Sequence, residues 1–215
     1  MATNNRAFVG CSGWSYLSWR PKFYPAGTKS KDLLAFYGTK FKTIEINYTF
    51  RHLPTDRNIA DWTSKTPDDF LVGLKASQQI THVSQLREPA TTLPIFFERA
   101  RLLGPRLGPI LFQTPKWVRR DDDRLAMFLA ALPRDLRCVL EVRDASWYVE
   151  DVYELLRTAN VALVHAEGES KPWEKKPGSG GKPKWGAGGP GGGRKPGDYK
   201  SRQGFKRNSS GGFRG

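Results

Sequence analysis

Between residues 7 and 165 the chain alternates six times between short strand-like runs and runs of helical period, joined by short connections. Parallel strands need a crossover and helices supply it, so this rhythm predicts a parallel sheet with helices packed against it. The expected strands cover residues 7–11, 43–47, 70–75, 109–113, 138–143 and 161–165. Ser30 is placed to cap a helix carrying Leu33, Leu34 and Tyr37 that Gly38 would end. Residues 54–64 form a second helix, with Ile59 and Trp62 on one side. A third spans residues 93–103, with Pro94 in its first turn and Gly104 beyond its end. Asp121 to Asp123 open a fourth, in which Leu125, Phe128, Leu129 and Leu132 recur at helical spacing before Pro133. Ser146 is the expected cap of a fifth, bearing Val149, Val152, Tyr153 and Leu156. A doubly wound sheet and a (β/α) barrel both satisfy this order.

The strand ends separate the two. In Thr43-Ile-Glu-Ile-Asn-Tyr-Thr-Phe50, side-chain alternation puts Ile44 and Ile46 on one face and Glu45 with Asn47 on the other. If that second face is interior, both polar groups need partners, because unpaired buried polar atoms are costly. The other expected strands also end on polar residues: Lys75, Gln113, Glu141 with Arg143 two positions on, and His165. In a (β/α) barrel such residues converge at the C-terminal rim. No Gly-x-Gly-x-x-Gly loop follows the first strand, which counts against a dinucleotide-binding sheet. A TIM-like barrel is the expectation.

Several motifs, read in order, resemble the YecE-like family, the "domain of unknown function seventy-two". They are Gly10-Cys-Ser-Gly-Trp14, Glu45-Ile-Asn47 with Thr49-Phe50, Lys75-Ala76 with Ile80-Thr81-His82, and Leu103-Gly104. Leu111-Phe112-Gln113 with Pro115, and Glu141-Val-Arg143 with Ser146-Trp147, complete the set. The match runs from Phe8 to His165. The resemblance implies a TIM-like barrel of the apurinic-endonuclease and xylose-isomerase type, and no established activity. Two departures accompany it. Asp144 stands where the family usually has a histidine, and nothing after His165 resembles the family's last two strands, one aromatic and ending in paired asparagines. The expected fold is therefore about six of eight β/α units.

Two readings of the polar ring stand side by side. Glu45 with Lys75 or Arg143 can be ion pairs that fill a barrel mouth. Alternatively Glu45, Glu141 and Lys75 are catalytic: the carboxylates act as general acid and base or as metal ligands, and Lys75 binds an anion or forms a Schiff base. Asn47, His82, Gln113, Arg143, His165 and Trp14 are then the binding residues, with Arg143 suited to a phosphate-bearing or nucleic-acid-related ligand. With three histidines in the chain, the pattern specifies neither a metal nor a cofactor. His52 lies outside the motifs and reads as exposed. Trp14, Tyr16, Trp19 and Trp147 read first as packing, and second as stacking surfaces.

The net charge of +14 is unevenly spread: residues 169–215 carry +9, leaving +5 on residues 1–168. The latter are taken as the domain. The former, with 14 of the 22 glycines and no Leu, Ile, Val or Met, cannot bury enough apolar surface and are expected to be disordered. Arginines, lysines and interspersed aromatics make that tail a candidate for single-stranded nucleic acid, a non-catalytic alternative to the pocket, or else a linker. An incomplete barrel is also expected to self-associate through its open edges. Cys11 and Cys138 form no metal or disulfide pattern. With no apolar signal core at the start and no run long enough to span a bilayer, the expectation is a cytoplasmic protein without a membrane partner.

Overall fold

The structure is a computed structural model that describes residues 7–166. The expected disorder and nucleic-acid binding of residues 169–215 fall outside the described residues.

Five strands form one parallel sheet: β1 (Thr43–Ile46), β2 (Leu71–Lys75), β3 (Leu107–Gln113), β4 (Cys138–Glu141) and β5 (Ala162–Leu163). They lie side by side in chain order, with no reversal among the described strands. Crossovers between parallel strands are right-handed, so an order that always steps the same way keeps its helices on one face. A doubly wound sheet needs a switch point instead. The intervening helices are α1 (Leu33–Gly38), α2 (Asp56–Ser64), α3 (Pro89–Arg101), α4 (Asp122–Ala130) and α5 (Glu150–Ala159).

Alternation along the strands sorts the side chains as the sequence required. Ile44, Ile46, Val72, Leu74, Ile110, Phe112, Cys138 and Leu140 are buried in one core with Trp62, Phe96, Phe128, Val152 and Leu156 of the helices. Residues on the opposite face, among them Thr43, Glu45, Gly73, Pro109, Leu111, Val139 and Glu141, line an open cleft of about 350 Å³.

Several boundaries differ from expectation. Residues 7–11 form no strand of the sheet; the leading segment meets β1 through a single parallel bridge, Ser12 to Glu45. Glu45 N–H donates to the Cys11 carbonyl at 3.0 Å, and Gly13 N–H donates to the Glu45 carbonyl at 2.8 Å. Gly10 permits this approach, since a Cβ there would stand 2.2 Å from the Thr43 carbonyl oxygen. Two tyrosines fasten the segment further. Cys11 N–H donates to Tyr37 Oη at 2.7 Å, and Tyr24 Oη donates to the Trp14 carbonyl at 2.6 Å.

Ser30 lies in a 3₁₀ turn and caps nothing; α1 begins after Asp32. Helix α3 starts at Pro89, which is already suited to a first turn, so Pro94 falls inside the helix. Helix α4 is capped by Asp121, whose side chain accepts from Arg124 N–H, and it stops at Ala130, short of Leu132. Ser146 belongs to a separate 3₁₀ turn capped by Asp144, and α5 starts after Val149. Strand β3 gains two residues at its start and a register shift against β2, between Val72 and Leu74. Pro109 sits in this irregular stretch, where a residue without an N–H is tolerated.

Candidate functional site

The site begins where the ladders stop. Gln113 and Glu141, the last residues of β3 and β4, are register partners. Gln113 Oε1 accepts from Lys75 Nζ at 2.7 Å, and its Nε2 donates to Glu141 Oε2 at 2.6 Å. Glu141 Oε1 accepts from Arg143 Nε at 3.0 Å. The amide can serve both neighbours in one orientation only, oxygen toward the ammonium and nitrogen toward the carboxylate. Gln113 and Glu141 are 9% and 7% exposed, so a continuous row of partners is what makes their burial tolerable.

At the β1 end, Ser12 does what the sequence did not reveal. Its hydroxyl donates to Glu45 Oε1 at 2.5 Å and accepts from Asn47 Nδ2 at 2.7 Å. Asn47 lies past the end of β1 in helical backbone geometry, so alternation no longer aligns it with Glu45; the serine joins them instead. Glu45 and Glu141 line the same cleft.

Lys75 lies between these two groups. Burial pushes its pKa below the ordinary lysine value, and the Arg143 charge adds to this, while Glu45 and Glu141 oppose it. Its ammonium also stands 5.0 Å from the centre of the Phe50 ring. His82 sits in a π-helical turn, Gln79–Val83, that follows β2. Its Nδ1 is 2.8 Å from Thr81 Oγ1, and its ring meets Phe50 edge-on at 4.9 Å. Burial, then the charges of Lys75 and Arg143, hold its pKa below 6.5, leaving the imidazole neutral at pH 7.

Two expected members lie elsewhere. Val164 lines the cleft, whereas His165, past the end of β5, is exposed and is not among the residues lining it. Trp14 is half-buried and packs against the core. Asp144 accepts from Ser146 N–H at 3.0 Å, and the Ser146 hydrogen bonds hold its carboxyl below the usual carboxylate range. Phe50 and Arg51 also went unnoticed as site residues, because the turn that carries them has no periodic signature. Among the described residues, no three His, Cys, Asp or Glu side chains are grouped to hold a metal ion, and no helix is long and apolar enough to cross a membrane.

A one-sided parallel sheet with polar strand ends defines an α/β protein of crossover type. The family profile described as "Protein of unknown function DUF72" matches residues 8–186, and the chain belongs to that family. It is the YecE-like family that the motifs resemble. The UPF0759 protein YunF of Bacillus subtilis is 27% identical over 169 residues, covering 75% of this chain and 57% of that protein. A DUF72 family crystal structure from Thermotoga maritima superposes with a TM-score of 0.65 at 27% identity, covering 73% of this chain and 63% of that one. A DUF72 family structure from Enterococcus faecalis, at 17% identity and a TM-score of 0.59, shows the same fold over 73% of this chain and 59% of its own. The chain thus spans less than two thirds of each of these relatives.

Proposed function

We propose that the strand-end ring binds a phosphate-bearing ligand and positions its ester bond for hydrolysis, on a sheet that forms one wall of a TIM-like barrel. The sequential strand order, the one-sided helices and the polar C-terminal ends support the barrel reading. The observation that carries the ligand reading is the division of charge around Lys75. Glu141 is already bonded by Gln113 and Arg143, whereas Lys75 has no carboxylate partner and donates only to the Gln113 amide among the described residues. Its remaining donors are left for an anion.

Glu45 supplies the proton acceptor. Ser12 occupies its Oε1, and Oε2 carries no hydrogen bond among the described residues. In the proposed step, water oxygen bonds to phosphorus and gives its proton to Glu45 Oε2, the P–O ester bond breaks, and the leaving oxygen takes a proton from solvent. Lys75 and Arg143 stabilise the charge on the phosphoryl oxygens.

Calorimetry with inorganic phosphate, and turnover of a simple aryl phosphate, test this directly. Removing a charge-assisted bond costs about 1.5–3 kcal/mol, so Lys75→Ala is expected to weaken phosphate binding by roughly tenfold or more. Glu45→Gln is expected to keep binding and lose turnover. Phosphate affinity that is indifferent to both Lys75→Ala and Arg143→Ala would overturn the reading.

A further inference from the structure

Beside the ring lies a second recess of about 350 Å³, lined by Asn47, Tyr48, Phe50, Arg51, His52 and Lys75. Its chemistry differs from that of the cleft. The cleft is lined by two carboxylates, Glu45 and Glu141, and no cation; the recess is lined by two cations, Lys75 and Arg51, and no carboxylate. Lys75 and Asn47 connect the two, since each also bonds into the ring.

The aromatic walls are built in. After β1 the chain makes a 3₁₀ turn, Tyr48–Phe50, in which His52 N–H donates to the Tyr48 carbonyl at 3.1 Å. This brings the Tyr48 and His52 rings into a stack at 5.0 Å with planes 29° apart. The fully buried Thr49 anchors the turn, its Oγ1 lying 2.9 Å from the Ile46 carbonyl and 2.7 Å from that of Lys75. The turn is therefore held to the end of β2, and the recess does not depend on a free loop. Tyr48 is nonetheless 44% exposed. A half-exposed aromatic pair next to two cations, on a turn pinned by a buried hydroxyl, provides both halves of nucleotide recognition: a stacking face and an anion clamp.

Resting on the phosphate reading above, we infer that the ligand is a single nucleotide, its base against the Tyr48–His52 pair and its phosphate between Arg51 and Lys75. The ester bond then lies beside Lys75 and Asn47, which link the recess to the ring, Asn47 through the serine that holds Glu45. A base stacked on an aromatic side chain contributes about 1–3 kcal/mol, roughly a five- to 150-fold gain in affinity.

The test compares AMP, ribose 5-phosphate and inorganic phosphate by calorimetry on the full chain. AMP is expected to bind at least about fivefold tighter than ribose 5-phosphate. Tyr48→Ala should remove that advantage while leaving ribose 5-phosphate unchanged. Arg51→Ala, an exposed change, should weaken both compounds and flatten their salt dependence. Thermal melts of both variants exclude a folding defect, and Tyr48→Phe, which keeps the ring, should retain the AMP preference. If AMP binds no tighter than ribose 5-phosphate, the nucleotide inference fails while phosphate binding through Lys75 can still stand. If none of the three phosphate compounds binds, the underlying reading falls with it.

Discussion

Gln113 sits at the junction of the site because an amide can donate to a carboxylate from its nitrogen while its oxygen accepts from an ammonium. That arrangement lets Lys75 remain close to Glu141 without forming a direct ion pair with it. The titration of the site follows. Lys75, faced by Glu45, Glu141 and Arg143, loses its proton below 10.5; His82, faced by Lys75 and Arg143, gains one only below 6.5. Sulfate keeps its charge across this range and serves as the probe. Its affinity is expected to rise as pH falls below 6.5, when His82 adds a positive charge, and to collapse on the alkaline side sooner than an ordinary lysine would allow. His82→Asn should abolish the acid limb and Lys75→Met the alkaline one, each followed by calorimetry. A profile with neither an acid nor an alkaline limb would contradict the placement of both groups.

The leading segment of residues 7–13 is the element on which the β1 half of the site depends. It carries Ser12, and its hold on β1 consists of a few backbone bonds and the close pass at Gly10. A methyl group at Gly10 must displace the Thr43 carbonyl or lift the segment away. Gly10→Ala is therefore expected to destabilise the protein by about 1–3 kcal/mol and to release Glu45 and Asn47 from their shared serine. Gly27→Ala, with nothing within 4 Å of the added Cβ, is the control and should melt as wild type does. The other elements were better marked in the sequence. The acidic start of α4 and the apolar stripe within it are local signals, so the Asp121 cap and the buried Leu125, Phe128 and Leu129 were legible. The expected cap at Ser146 was misplaced, because a serine that accepts from Arg120 N–H, 26 residues away, looks identical in sequence to one that caps its own helix.

For the molecule as a whole, the sheet has two outer edges, one along residues 7–13 and the other along β5, and no further strand pairs with either among the described residues. The first edge also exposes Phe8 and Val9, at 47% and 70%. Unpaired strand edges with apolar side chains are templates for a second chain. Running parallel, the β5 edge of one copy suits the residue 7–13 edge of another, a head-to-tail contact. Analytical ultracentrifugation of the full chain is expected to show an average mass that rises with concentration. A monomer of constant mass that melts cooperatively would sink this expectation.

Periodicity and composition by themselves determined which residues form the elements and which faces those elements bury, since a period of two or of 3.6 is a local property read along the chain. They also placed Glu45, Lys75, Gln113, Glu141 and Arg143 at strand ends. The tertiary structure alone decided how these groups are joined. Strand register set Gln113 opposite Glu141, and the close pass at Gly10 brought Ser12 between Glu45 and Asn47. Each of those outcomes depends on a contact between residues distant in sequence, and no pattern within a single segment carries that information.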